Sequence, residues 1–468
     1  MRRAAPVLLA TGTFVFALGL VRVHPEMYWA DPYGRVAFRD RILLGDWLPL
    51  LQAIVWLVGH LTASVAALRV VLAAVGGLTV VAAYAVGTRL CGYAAGMVFA
   101  ALLASNALFV ALAIVPYQEV VFLGATLAAL ALHQRRDDSA RARWMAAAAF
   151  NVACLTRYEA WFLVAILVLA ELVVETRHRG SRAGMTAALI MAAQYGAAAA
   201  SWIVLSLSIR GTFPAPEHHL SPPIGERIAD YLHQIRWQIG CWPILALAAI
   251  GLAAALARRG SRRPHVELVC FVAADVLFVF LTDPYSIGNL RQTFIPVVAL
   301  LFYAASGLPL LVSFIVDRAR IAARMARADA VKVATIIAVA GFLTAWCARG
   351  ASRFVADAAA EYHAPFLVGR WFEALPPQTR QRARIVTLSD DGVYRMAIAV
   401  YGRLPPDWVT SAGDGLPAGS TYVVRAQRPG SRPSAAGAAL GRLMEGGTIA
   451  ADATAVGDAT IWTLRVPE

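Results

Sequence analysis

The sequence predicts a polytopic α-helical membrane protein that ends in a small α/β domain. Of its 468 residues, 59% are hydrophobic and only 15% are charged, and the mean hydropathy is +0.61. Apolar runs long enough to cross about 30 Å of hydrocarbon as a helix recur along most of the chain. After Ala348 the chain becomes polar and changes to short strand-like runs separated by Gly/Pro-rich turns. These features exclude a fold built around one core surrounded by water.

We expect about 11 transmembrane helices. Residues 4–23 come first, behind Arg2 and Arg3, and are interpreted as a signal anchor that is retained. The other predicted spans lie near residues 65–86, 94–113, 120–132, 144–155, 160–174, 187–207, 240–257, 266–281, 294–316 and 333–346. Segments 144–155 and 160–174 are short and flank polar residues, so they form either two short helices or a re-entrant hairpin.

The positive charge of the chain predicts its orientation. The formal net charge is +13, and much of the arginine lies in stretches between predicted spans, at residues 134–143, 176–183, 258–265 and 317–332. With a cytoplasmic N-terminus, all these stretches fall on the cytoplasmic side, as expected for a multi-pass protein of the plasma or inner membrane. A topological signal explains the charge better than a binding patch, so nucleic acid is not an expected partner.

The extracytoplasmic side receives the long segments that carry Trp and Tyr, and this is where we expect function. These segments are residues 24–64, 116–119, 156–159, 210–238 and 282–292, together with everything after 348. We therefore divide the chain into a transmembrane domain at 1–348, with its first external loop at 24–64, and an extracytoplasmic α/β domain at 349–468. Strands of the second domain are expected within 384–388, 421–424 and 459–466.

Four stretches of the sequence carry a resemblance to a known superfamily. The first external loop contains DPY at residues 31–33 and RDRILLGDW at 39–47. This loop resembles that of GT-C superfamily glycosyltransferases, particularly the family-39-like group of protein O-mannosyltransferases and lipid A aminoarabinose transferases. VPYQEVVFLGATLAAL at 115–130 looks like the external turn of that family, with an acid opening the fourth span, and LTRYEAW at 155–161 also supports the resemblance. NLRQTFIPVVALLFYAASGL at 289–308 is similar to its Arg-plus-Pro opening of a late span.

The resemblance implies an enzyme that moves a sugar from a polyprenyl-phosphate donor to an acceptor on the extracytoplasmic side. Such a reaction needs a base near the acceptor and a cation at the departing phosphate. Asp31 is the predicted general base. Where many relatives have Asp-Glu, this sequence has Asp31-Pro32, so Glu119 and Glu26 are the other catalytic candidates. The predicted substrate-binding residues are Arg157, Tyr158, Glu159, Arg291, Tyr33 and Tyr117.

Each of these residues also has a structural interpretation. Asp31 could cap a turn or helix, and Glu119 opens a helix whose dipole favours an acid. Arg157 and Glu159, near membrane depth, line a cavity or form an internal ion pair. Arg291 contacts the lipid phosphate or only reaches the interface from a lipid-facing position.

No metal site and no cofactor are predicted. The nearest metal candidate is Glu217-His218-His219, in a Pro-rich loop, and a divalent metal is not supported. No Gly-rich phosphate loop indicates a soluble nucleotide-sugar donor. The expected partners are membrane lipid, a polyprenyl-phosphate-linked sugar, and an acceptor that is a glycan, a lipid or a protein. A multi-span transporter or lipid flippase and a non-catalytic scaffold with the same fold are the alternatives.

Overall fold

The computed structural model describes residues 4–44, 47–211, 223–239, 241–257, 262–282, 290–323, 328–414, 421–426, 435–445 and 451–464. The helices are α1 Ala5–Val23, α2 Ala30–Ala37, α3 Pro49–Leu61, α4 Val65–Cys91, α5 Tyr93–Ser105, α6 Ala107–Ala113, α7 Gln118–His133, α8 Ala140–Cys154, α9 Glu159–Arg179, α10 Ser181–Tyr195, α11 Ala197–Arg210, α12 Ile224–Ile239, α13 Trp242–Ala257, α14 Arg262–Thr282, α15 Phe294–Ala323, α16 Ala328–Ala360, α17 His363–Ala374, α18 Pro377–Arg382, α19 Gly392–Gly402 and α20 Ala435–Glu445. The strands are β1 Ile385–Thr387, β2 Val409–Ser411, β3 Tyr422–Arg425, β4 Ala451–Val456 and β5 Ala459–Leu464.

The predicted polytopic helical fold is confirmed. Within the described residues, four helical stretches are long and apolar enough to cross a membrane, and up to seven spans result if each bent helix pair crosses as one. Counting spans by helix length and composition gives fewer spans than the sequence predicts. One reason is that α8 has only 15 residues. α9 also fails the criterion, because it carries Glu159, Glu171 and Glu175 and ends in Arg177, His178 and Arg179.

Two predicted spans are bent in the middle. α5 and α6 meet at 66°, and α10 and α11 meet at 64°. At the first bend the side chain of Asn106 accepts a hydrogen bond of 3.0 Å from the backbone N–H of Phe109. This bond satisfies one of the donors that a new helix leaves unpaired at its N-terminus. The bend therefore interrupts the span while leaving fewer exposed polar groups in an apolar environment.

Small residues allow α13 and α15 to pack closely. A Cβ atom added to Gly251 would lie 2.0 Å from the backbone oxygen of Tyr303, and one added to Gly307 would lie 2.1 Å from the oxygen of Leu247. Helices in lipid associate largely through close backbone approach of this kind. The Ala- and Gly-rich composition of the spans is thus explained by helix packing.

The chain divides into two compact units. The first, the helical unit, comprises Met1–Gly19, Leu43–Ile54 and Arg69–Ser352. The second, the loop–sheet unit, comprises Leu20–Ile42, Val55–Leu68 and Arg353–Glu468. Part of the predicted first external loop therefore belongs with the C-terminal residues. α16 continues without a break to Ala360, past the predicted domain boundary at residue 348.

The first external loop is not a simple connection. It contains α2 and also α3, whose sequence PLLQAIVWLVGHL is almost wholly apolar. The sequence analysis did not predict α3, because a 13-residue apolar helix is too short to be recognised as a span.

The loop–sheet unit is built on a mixed five-stranded sheet with the order β2-β1-β3-β5-β4. β1 runs parallel to β2 and β3, whereas β5 runs antiparallel to β3 and β4. Alternate residues enter separate cores: Ile385 and Ile461 pack against α17 and α19, while Val386 and Trp462 pack against α20. This alternation follows from the two-residue period of a strand. The three predicted strands lie at β1, β3 and β5, and the sequence missed β2 and β4.

Candidate functional site

Four charged side chains that are distant in the sequence meet inside the helical unit. Glu119 lies in the first turn of α7, and Glu159 is the first residue of α9. Arg157 lies in the turn between α8 and α9, and Arg291 lies in a short 3₁₀ turn before α15. Glu119, Arg157 and Glu159 are buried, whereas 22% of the Arg291 side chain is exposed. We call these four residues the Glu–Arg cluster.

Arg157 lies at the centre of the cluster. Its Nη1 donates a hydrogen bond to Glu119 Oε1, and its Nε donates to Glu159 Oε1 over 2.8 Å. Its Nη2 donates to that same oxygen of Glu159. A guanidinium can bridge two carboxylates because its donors form a rigid planar fork. One cation thus compensates two acids that would be costly to bury alone.

Arg291 is the most exposed member of the cluster. Its Nη1 lies 3.5 Å from Glu119 Oε1, and its Cζ lies 4.4 Å from the centroid of the Tyr117 ring. A guanidinium over an aromatic face is held by cation–π attraction. The predicted residues Tyr117 and Arg291 therefore act as a pair, with the ring fixing the position of the cation.

Three helix N-termini converge on the cluster. α7, α9 and α15 each begin within about one turn of a cluster residue. The N-terminus of a helix carries partial positive charge and unsatisfied N–H groups, which favour an anion. Among the described residues, Glu119 Oε2 is buried without a hydrogen-bond partner. Arginine side chains and helix N-termini are what proteins commonly use to bind phosphate groups.

Tyr158 and Asp275 lie beside the cluster. The ring of Tyr158 stacks on that of Phe278 on α14 at a centroid distance of 6.4 Å. Asp275, also on α14, accepts a hydrogen bond of 3.3 Å from the hydroxyl of Tyr231. This hydrogen bond ties the buried Asp275 of α14 to α12.

Asp31, the predicted base, lies in the first turn of α2 in the loop–sheet unit and is partly exposed. Two residues before it, Trp29 adopts φ 67° and ψ 163°. Residues other than glycine rarely adopt this backbone region, and strain of this kind is concentrated at functional sites. The helix cap is at Trp29 and has no side-chain hydrogen bond, so Asp31 does not cap α2.

Tyr33, predicted to bind substrate, is fully buried in the loop–sheet unit. Its hydroxyl donates a hydrogen bond of 2.5 Å to the backbone oxygen of Met27. Its ring packs against Tyr362 and Tyr401, at centroid distances of 5.5 and 6.1 Å. These contacts hold α2 in place, and substrate could reach the ring only if this packing opened.

Glu26 pairs with a residue that the sequence analysis did not consider. Its Oε1 lies 2.5 Å from Nδ1 of His363, the first residue of α17. The Glu26 side chain is 5% exposed, and that of His363 is 54% exposed. The buried carboxylate therefore orients an accessible imidazole. Such a pair of residues 337 positions apart has no local sequence signal.

A buried arginine in the helical unit was also missed. Arg69 lies one turn into α4 and is only 1% exposed, and its Nε donates a hydrogen bond of 2.8 Å to the backbone oxygen of Ile114. The sequence did contain a signal, because an arginine inside an apolar run is costly and needs a partner. Arg69 holds the chain just before the turn that leads to Glu119.

A second polar network lies at the other end of α7. His133 Nδ1 lies 2.9 Å from the Tyr195 hydroxyl, and Arg136 Nη2 donates to Glu171 Oε2 over 2.5 Å. Glu267 lies 3.8 Å from His133 Nε2. Residues of α7, α9, α10 and α14 are tied together here, which fixes the bundle at the end remote from the Glu–Arg cluster.

The described residues contain no group of three or more His, Cys, Asp or Glu side chains arranged to hold a metal ion. The weak metal candidate at Glu217-His218-His219 and the Gly45-Asp46 turn of the first loop lie outside the described residues.

Solved structures of membrane glycosyltransferases share this architecture. ArnT from Cupriavidus metallidurans bound to undecaprenyl phosphate matches with a TM-score of 0.62 and 16% identity, over 99% of this chain and 99% of that chain. The oligosaccharyltransferase of Archaeoglobus fulgidus in its apo form matches with a TM-score of 0.57 and 12% identity, over 90% of this chain and 69% of that one. The chain has the GT-C fold. This confirms the fold that the resemblance in the sequence implies. No protein-family model and no curated protein sequence matches the chain.

Proposed function

We propose that this protein is an integral-membrane glycosyltransferase of the plasma or inner membrane. It moves a sugar from a polyprenyl-phosphate donor to an acceptor on the extracytoplasmic side. The observation that carries the proposal is the GT-C fold along 99% of the chain, shared with an ArnT structure that holds undecaprenyl phosphate. An archaeal oligosaccharyltransferase in complex with dolichol-phosphate, with a TM-score of 0.50 and 14% identity, supports the same class of lipid carrier.

The Glu–Arg cluster supports recognition of the donor phosphate. Arg291 is the arginine of the cluster with the more exposed side chain, and it is anchored over Tyr117. The planar guanidinium group presents N–H donors that match phosphate oxygens, and the group remains charged at any physiological pH. Arg157 is committed to Glu119 and Glu159, so its role is to position these acids. Arg291 is therefore the proposed contact to the lipid phosphate.

Asp31 is the proposed general base. When an acceptor hydroxyl attacks the anomeric carbon, the bond from that carbon to the phosphate oxygen breaks, and polyprenyl phosphate leaves with the bonding electrons. The proton of the hydroxyl passes to the Asp31 carboxylate. Glu119 and Glu26 are less suited, because Arg157 and His363 already occupy one oxygen of each. The strained backbone at Trp29, beside Asp31, supports a functional role for this part of α2.

The test is a transfer assay in membranes that contain the protein, with a panel of radiolabelled polyprenyl-phosphate sugars and, in parallel, the matching nucleotide sugars. We expect label to pass to a membrane or periplasmic acceptor from at least one lipid-linked donor, and not directly from a nucleotide sugar after carrier synthesis is blocked. Absence of transfer from every lipid-linked donor by folded protein would refute the proposal and favour a transporter or scaffold.

A further inference from the structure

The loop–sheet unit contains a cavity, and none of the site residues predicted from the sequence lies in its wall. It has a volume of about 270 Å³ and lies between the turn that joins α3 to α4 and the helices α17 and α19. Its wall includes Phe366, Arg370, Glu373, Tyr401 and Arg403. Cavities of this size with a few convergent polar groups are suited to a small ligand.

Two arginines converge on one carboxylate at this cavity. Arg403 Nη2 lies 2.7 Å from Glu373 Oε1, and Arg370 Nη1 donates to Glu373 Oε2. The Glu373 side chain is 16% exposed, whereas those of Arg370 and Arg403 are 58% and 48% exposed. Each guanidinium has five N–H donors, and these contacts use one of each. The cavity wall therefore keeps an excess of positive charge and accessible donors for an anion.

The backbone at Arg403 gives an independent indication. Arg403 follows the last residue of α19 and is left-handed, with φ 52° and ψ 43°. This position at the end of a helix favours glycine, because a Cβ atom is strained there. The ion pair between Arg403 and Glu373 is partly solvent-exposed and adds little stability in return. The ion pair therefore does not offset the cost of the strained backbone at Arg403. We take this as an indication that the Arg403 side chain has a role in binding.

The aromatic part of the cavity connects it to the loop that carries Asp31. Phe366 and Tyr401 meet edge to face at a centroid distance of 4.8 Å. The Tyr401 hydroxyl accepts a hydrogen bond of 2.6 Å from the backbone N–H of Met27 and donates one of 3.2 Å to the oxygen of Pro25. The cavity wall thus directly holds the segment that leads into α2. A ligand in the cavity would therefore contact Tyr401, the residue that holds this segment in place.

We propose that this cavity binds a carboxylate or phosphate substituent carried by the acceptor. Arg370 and Arg403 would donate hydrogen bonds to this anionic group. Guanidinium groups recognise both anions through paired hydrogen bonds, and the aromatic wall suits the ring that bears the anion. Naming the ligand as the acceptor rests on the proposed transferase function. Binding of the anion does not depend on it.

The test measures binding to the full-length protein in detergent. The probes are glucuronate, glucose 6-phosphate and neutral glucose, and inorganic phosphate tests whether an anion without a sugar also binds. We expect either or both anionic sugars to bind more tightly than glucose, and the preferred anion identifies the substituent. Arg403→Gly removes both the side chain and the backbone strain. It should leave thermal stability unchanged or higher while weakening anion binding roughly tenfold or more. The matched control is Arg382→Ala, which removes an exposed arginine of α18.

Several results would overturn the inference. These are equal binding of glucose and both anionic sugars, binding of free phosphate alone, no binding of any probe, and anion binding that survives both Arg403→Gly and Arg370→Gln. In a working transfer assay, Arg403→Gly should raise the KM for the acceptor while leaving the KM for the donor unchanged. If the wild type shows anion binding that Arg403→Gly abolishes but no sugar transfer, the transferase proposal fails and the anion site stands.

Discussion

Replacing Arg291 with glutamine should weaken donor binding without unfolding the protein. The substitution removes the proposed contact to the lipid phosphate and keeps a polar side chain of similar length. A hydrogen bond to a charged group contributes about 1.5–3 kcal/mol. Because 1.4 kcal/mol corresponds to a factor of ten, the KM for the polyprenyl-phosphate donor should rise roughly 10- to 150-fold.

The effect on stability should be much smaller. Arg291 is 3.5 Å from Glu119 and 22% exposed, and its Cζ lies over the Tyr117 ring. Such partly exposed contacts contribute about 1 kcal/mol or less. Glu119 keeps its hydrogen bond to Arg157, so no buried acid loses its only cation.

The assay compares donor KM, kcat and thermal stability of the wild type and Arg291→Gln in the same detergent. Arg135→Gln is the matched control, since Arg135 follows the far end of α7 and its side chain is 60% exposed. An unchanged donor KM would refute the phosphate role of Arg291. A large loss of stability would show that Arg291 is instead a structural member of the cluster.

Three further predictions test other parts of the account. Arg157→Met should destabilise the helical unit by about 3–5 kcal/mol, because Glu119 and Glu159 would lose their shared cation; an unchanged midpoint in a denaturant titration would contradict this. Gly251→Val should lower stability by about 1–3 kcal/mol, since even a Cβ would clash with the backbone of α15. The control is Gly341→Val, where a Cβ meets nothing within 4 Å. Glu26→Gln should retain most of kcat, whereas loss of a true general base costs roughly 10²- to 10⁴-fold; a loss of that size in transfer kinetics would transfer the role of base to Glu26.

The sequence predicted the polytopic helical fold because lipid imposes a strong pattern on a chain. A backbone segment that crosses hydrocarbon must pair its own N–H and C=O groups. A long apolar run therefore predicts a helix. The same logic found Arg157 and Glu159, because charges at membrane depth are rare and need a partner. Glu119 was singled out at the opening of the fourth span and Arg291 at the opening of a late span, and the structure brings all four together.

What the sequence could not predict depends on distant contacts and on backbone geometry. The pair of Glu26 and His363 joins residues 337 positions apart, and the hydrogen bond of Tyr231 to Asp275 joins two separate helices. The left-handed conformation of Arg403 has no signal either, since glycine is the residue that marks such positions. The apolar helix α3 was missed because it is too short to resemble a span.

The most direct test of the central claim is sugar transfer by Asp31→Asn, with Asp40→Asn as the control. Asp40 lies in the same loop, and its side chain is 75% exposed. With expression and folding matched, the account predicts that kcat for transfer from the polyprenyl-phosphate donor falls roughly 10²- to 10⁴-fold in Asp31→Asn and is unchanged in Asp40→Asn. Equal transfer by Asp31→Asn and the wild type would contradict the account and remove Asp31 from the role of general base.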